Sequence, residues 1–145
     1  MENLEEQEEK KVGMSKEAAL EELSKLVEDF TFSKMTDPKI EATYPQVLNA
    51  LIEGTLSLGS EPKYVLREPI CFKTGAIDIE EVSFRTRVTV SDKEKIARTI
   101  DMKDDPLGYS YATMAFIMNL KSKAYLDKMG RYDLKVCEQL STLFV

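Results

Sequence analysis

The chain of 145 residues contains no histidine and no tryptophan. Without an imidazole, the usual general base at neutral pH is missing, and His-centred triads and His-ligated metals are excluded. Cysteine is scarce: Cys71 and Cys137 form no Cys-x-x-Cys pair, which rules out thioredoxin-type redox chemistry and zinc ribbons. Each is expected as a small core residue in a reducing compartment. No apolar run reaches the ~18 residues of a membrane span, and the opening Met-Glu-Asn-Leu-Glu-Glu lacks the basic-then-apolar character of a signal peptide. The expectation is therefore a soluble cytosolic protein.

Positive charge is also short. Lys and Arg total 20 against 26 Asp and Glu, a net charge of −6, whereas general nucleic-acid binding draws on a basic excess. Glycine-rich phosphate loops are absent, since Gly54-Thr-Leu-Ser-Leu-Gly59 has neither the spacing nor the following lysine. Ser57 within it lacks the frame of a nucleophile elbow. No cofactor and no metal site is expected. Asp78, Glu80 and Glu81 do not follow the ligand spacing of a calcium loop. Asp101, Asp104 and Asp105 resemble a metal cluster only by composition, and helix capping accounts for Asp105.

What is present suits one domain, with 43% apolar residues in a chain of ordinary domain length. Residues 1–14 read as an acidic, mobile tail, because Glu2, Glu5, Glu6, Glu8 and Glu9 come with few apolar groups to offset ordering entropy. Residues 15–145 then form a single α+β domain. It has a helical part over 15–60, a small antiparallel sheet within about 63–90, and a helical part over 91–145.

In the first part, Ser15 is a plausible N-cap, and Leu20, Leu23, Val27 and Phe30 recur at helical spacing over 16–30. Asp37-Pro38 and Tyr44-Pro45 mark 31–45 as mostly connector, and a second helix is expected over 46–57, closed near Gly59. In the sheet, Pro69 requires an edge or a bulge. Val82 to Val90 alternates as a strand with Arg85 and Arg87 on one face. Ile77 and Ile79 fall on the opposite parity, which places a break at Glu80-Glu81. Ser91 with Glu94 forms a capping-box pattern for a helix through Asp101. Asp105-Pro106 opens a long helix over 107–129, capped by Gly130, and a last helix follows around Leu134–Leu143.

Acidic residues concentrate early, with 13 acids and 6 bases in 1–60 against 13 and 14 in 61–145. Such asymmetry fits two faces with different partners, and equally a solvated helical surface. Two groups are candidate binding residues. Leu20, Leu23, Val27 and Phe30 form a face for a protein partner or a second copy of the chain, with packing on its own domain as the alternative. Arg85 and Arg87 are placed to meet an anion or an acidic partner through bidentate contacts, or to pair with nearby acids. Met114 and Met118, one helical turn apart, suit either a core or an adaptable contact surface.

The run Val82-Ser-Phe-Arg-Thr-Arg-Val-Thr-Val90 into Ser91-Asp-Lys-Glu-Lys-Ile-Ala-Arg98, followed by the apolar helix from Pro106, resembles small tail-assembly and baseplate-assembly proteins of tailed bacteriophages in its order of elements. The resemblance covers roughly residues 60 to 130. It implies a non-enzymatic role in holding or ordering tail proteins, with viral structural proteins as partners and the host cytoplasm or the virion as location. The expectation is a protein-binding assembly module, without nucleic acid or membrane, that is able to self-associate. The alternative is a domain that binds or transforms an anionic small molecule through Arg85 and Arg87.

Overall fold

Ser15 ends the lead-in to the first helix: its hydroxyl accepts from the amide of Ala18 at 3.2 Å, satisfying one of the free amides at a helix start. The computed structural model describes residues 13–101 and 103–145. The acidic tail expected over 1–14 lies outside these as far as residue 12, and Met14 already packs on the core. Helix α1, Lys16–Thr31, buries Ala19, Leu20, Leu23 and Val27.

The expected connector over 31–45 contains a further helix, α2, Asp37–Thr43. Pro38 and Pro45 lie in the first turns of α2 and of α3, Pro45–Glu53, where a missing N–H costs nothing because no intrahelical acceptor exists there. Both prolines therefore start helices. Tyr44 offers α3 no side-chain cap, and a residue distant in sequence supplies one: Gln139 Oε1 accepts from the amides of Gln46 and Val47 at 3.1 and 3.2 Å. Helix α3 stops at Gly54, in the left-handed region at φ 84°, rather than near Gly59. Leu56 is thereby free to enter the sheet.

The sheet is antiparallel, in the order β1 (Leu56–Ser57), β2 (Lys63–Cys71), β3 (Ile77–Ser83). Tyr64, Leu66 and Ile70 of β2 point inward. The irregularity expected at Glu80-Glu81 lies instead on the opposite strand. Val65 pairs with Glu81 and Ile70 with Ile79, so the surplus residues, Pro69 among them, bulge from β2; a second shift follows at once, because Cys71 pairs with Ile77 and leaves Asp78 of β3 as the extra residue. The strand expected over Val82–Val90 ends at Ser83. Past that point the backbone turns to other partners, with the Phe84 amide donating to Pro62 and the Arg85 amide to Ile117 at 2.7 Å. Val82 and Phe84 still face inward, as their parity requires.

Helix α4, Val90–Thr99, is capped two residues earlier than expected, by Thr89 with Asp92 instead of Ser91 with Glu94. Helix α5, Pro106–Ile117, starts as expected on Asp105, whose Oδ1 accepts from the Gly108 amide at 2.9 Å. The long helix over 107–129 breaks, however. Asn119 adopts φ 56°, a conformation its short polar side chain tolerates, and its Nδ2 donates to the carbonyl and hydroxyl of Ser83. A short 3-10 helix, Lys123–Lys128, follows. Gly130 then begins α6, Arg131–Phe144, rather than closing α5. The Glu68 carboxylate lies over Gly130 where a Cβ would stand, so a larger residue there would displace the end of that side chain.

The core lies where α1, α3, α6 and the inner face of the sheet meet. Phe144 sits between Phe30 and Phe84, edge-on to Phe30 at 4.9 Å. Asp133, in the first turn of α6, is buried and joins that helix to the bulge. Its Oδ1 accepts from the Tyr64 hydroxyl at 2.5 Å and the Arg67 amide at 3.0 Å, and its Oδ2 from the Glu68 amide at 3.0 Å. Burial and the adjacent carboxylate push the Tyr64 phenol well above its ordinary pKa, so Tyr64 remains the donor. Outside this buried set, Arg67 stacks on the Tyr132 ring at 3.5 Å and pairs with both oxygens of Glu53.

Asp133→Ala strips three donors of their acceptor and is expected to lower unfolding stability by about 3 kcal/mol. Tyr64→Phe removes one donor and is expected to cost about 1–2 kcal/mol. Equal losses in chemical denaturation would show that Asp133 contributes nothing beyond the phenol contact. In α4, the Thr89 amide and hydroxyl hold Asp92 below its ordinary pKa. Its ionised form therefore stabilises the fold above the usual carboxylate range, and that contribution disappears as pH falls through the lowered folded-state value. Thermal melts across pH should show Asp92→Ala less stable than the parent near neutrality, with the gap closing in acid.

Candidate interaction groove

The expected partner face on α1 is not presented to the outside. Leu23 and Val27 are fully buried, Leu20 is nearly so, and Phe30 is half-buried against Phe144. An apolar stripe at this spacing packs on whichever apolar surface is nearest, and the chain's own α3 and α6 supply it.

Arg85 and Arg87 share no strand face, because the strand has ended before them. Arg85 lies over the Phe116 ring at 4.4 Å and donates through Nε to the Phe116 carbonyl at 3.0 Å. That contact occupies the guanidinium in fixing the loop to the end of α5. Arg87 is exposed. Cys71 is exposed as well, contrary to its expected core position, because it sits on the outer parity of β2. Cys137 is buried and free, and burial pushes its thiol pKa up.

Among the acidic groups, Asp101 Oδ1 accepts from the amides of Lys103 and Asp104, and those amides hold it below its ordinary pKa. Asp78 lies beside Tyr125 and raises that phenol's pKa. No set of three or more acidic or cysteine side chains among the described residues is arranged to hold a metal ion. No described helix is long and apolar enough to cross a membrane.

A groove of about 540 Å³ lies instead along α5, with α4 and α6 contributing its sides. Leu107, Tyr111 and Met114, at i, i+4 and i+7 of α5, place apolar atoms along one line of it. Lys93 enters from α4; Glu138, Ser141 and Thr142 come from α6, with Val145 just beyond it. Leu107 is 66% exposed and Val145 62%, so large apolar side chains stand at the groove in contact with water. Val90, one turn before Lys93 on α4, is 74% exposed. The polar features are few. Lys93 makes no ion pair with the described residues. Glu138 accepts from the Tyr111 hydroxyl at 3.4 Å and lies 3.8 Å from Lys135 Nζ. Thr113 donates back to the Tyr109 carbonyl. Ser141 Oγ is buried and finds no hydrogen-bond partner among the described residues.

Sequence reasoning offered Met114 as core or adaptable contact surface within the helix from 107 and singled out none of Leu107, Tyr111, Glu138 and Val145 as binding residues. The available signal was the apolar coverage of α5 all round its circumference, which exceeds what one contact face can bury. No family model matches the chain, nor does any curated protein or solved structure.

Because Ser141 Oγ carries an unmet hydrogen-bonding demand, Ser141→Ala is expected to raise unfolding stability by about 1 kcal/mol. A loss of that size in denaturant titration would show that the hydroxyl has a partner in solution.

Proposed function

We propose that this chain is a non-enzymatic protein-binding module and that its contact surface is the α5 groove. One observation carries the reading: an apolar groove that keeps Leu107 and Val145 largely in water, where an unpartnered nonpolar surface of this kind marks an interaction site. Its walls supply nonpolar contact area with one cation and one carboxylate, a composition suited to docking a protein surface. The narrower reading, an assembly factor or minor component of a phage tail, draws support from the order of elements alone. A short sheet leads into the capped helix α4 and then a helical C-terminal part.

The test is site-specific photocrosslinking in the cells that express the protein, with the photoreactive residue at Ser110, an exposed groove position, or at Lys34, an exposed position on the loop after α1. A discrete protein adduct from position 110, absent from position 34 and lost on Leu107→Asp, is the expected result. If position 110 yields no adduct, while a phosphate or carboxylate ligand raises the melting temperature and Arg87→Ala abolishes that shift, the groove reading fails and anion binding replaces it.

A further inference from the structure

The charges of the groove narrow its occupant. Lys93 stands on the α4 side and Glu138 on the α6 side, with α5 packed between those helices. A complementary partner has to present an anion opposite Lys93, a cation opposite Glu138, and an apolar knob between them. The chain carries a cation, a carboxylate and an exposed apolar side chain of this kind itself. Leu107 projects beside its own groove at 66% exposure, while Lys93 and Glu138 supply the two charges. A two-fold axis brings position i of one copy to j of the other and j to i, so a single symmetric docking meets all three requirements twice. A partner of uniform charge would satisfy one side of the groove and be repelled at the other.

We propose that the groove is occupied by a second copy of this chain. In the resulting two-fold dimer Leu107 of each copy seats in the other's groove, and Lys93 faces Glu138 of the other copy. The proposal rests on the reading of the groove as a protein-contact surface and adds the identity of the partner. The exposed Val90, near Lys93 on α4, extends the apolar contact on the same side.

Light scattering coupled to size-exclusion chromatography on the purified full chain tests this through reciprocal charge reversal. The parent is expected to run as a dimer. Lys93→Glu alone sets carboxylate against carboxylate at both symmetry-related contacts, and Glu138→Lys alone sets ammonium against ammonium there. Each is expected to weaken dimerisation by on the order of tenfold or more. Mixing the two variants in equal amounts should restore the dimer, because the copy carrying Lys93→Glu presents carboxylates at both positions and the copy carrying Glu138→Lys presents ammonium groups at both, so each contact of the mixed pair joins opposite charges; the same pairing is tested within one sequence by placing both reversals in one chain. That double variant, Lys93→Glu with Glu138→Lys, again sets an ammonium against a carboxylate at each contact and is expected to dimerise like the parent. Leu107→Asp, at an exposed position, is expected to leave a cooperative melt and a monomer, which keeps the test intact if either charge variant folds poorly. A parent that stays monomeric across the accessible concentration range overturns the proposal. So does a dimer indifferent to both single charge reversals and to Leu107→Asp. The failures are distinguishable: a monomer whose position 110 still crosslinks to a different protein retains the groove reading and loses the second copy, whereas a groove silent in both experiments loses both.

Discussion

Asp133 is the point on which the arrangement of sheet and helices depends. A carboxylate in the first turn of a helix is favoured by the helix dipole, but one this deeply buried must also find donors. Tyr64 and the backbone amides of Arg67 and Glu68 provide them. Those amides are available because β2 bulges between Val65 and Ile70 and does not offer them to β3. The irregular strand and the buried acid thus satisfy each other. The close approach of Glu68 to Gly130 follows from the same docking, since it brings the bulge against the start of α6.

Once Asp133 fixes the rotation of α6 about its axis, the rest of that helix has assigned faces. Val136, Cys137 and Leu140 turn into the core, Gln139 reaches the start of α3 and caps it, and Glu138, Ser141 and Thr142 are left facing α5. A helix of fourteen residues therefore serves the sheet, α3 and the groove together. The groove is a consequence of this geometry. Helix α5 is apolar around more of its surface than α6 can cover, and Asn119 ends it before it can fold further against its neighbours.

The surface left over differs in kind from the stripe on α1. Leu20, Leu23 and Val27 are satisfied within the chain, so their spacing reports folding. Leu107 and Val145 are not, and they lie beside a cation and a carboxylate drawn from two different helices. Binding through such a surface uses the same nonpolar burial that forms the core, with the charges selecting orientation. The protein-binding reading and the symmetric dimer both draw on that division between apolar area already covered and apolar area still open.

Local chemistry, legible in the sequence, determined the α+β class, the Ser15 and Asp105 caps, the inward parity of Val82 and Phe84, and the need at Pro69 for either an edge or a bulge. Each of these depends on a few adjacent residues and on constraints of the backbone itself. Tertiary structure alone decided where the strand after Ser83 ends, because its amides go to Pro62 and Ile117. It also decided that Arg85 is held by Phe116, that α1 is core, and that Leu107 is not. Periodicity states that a helix has an apolar face, but which face finds a neighbour depends on contacts between residues far apart in the chain, such as Asp133 with β2 and Gln139 with α3.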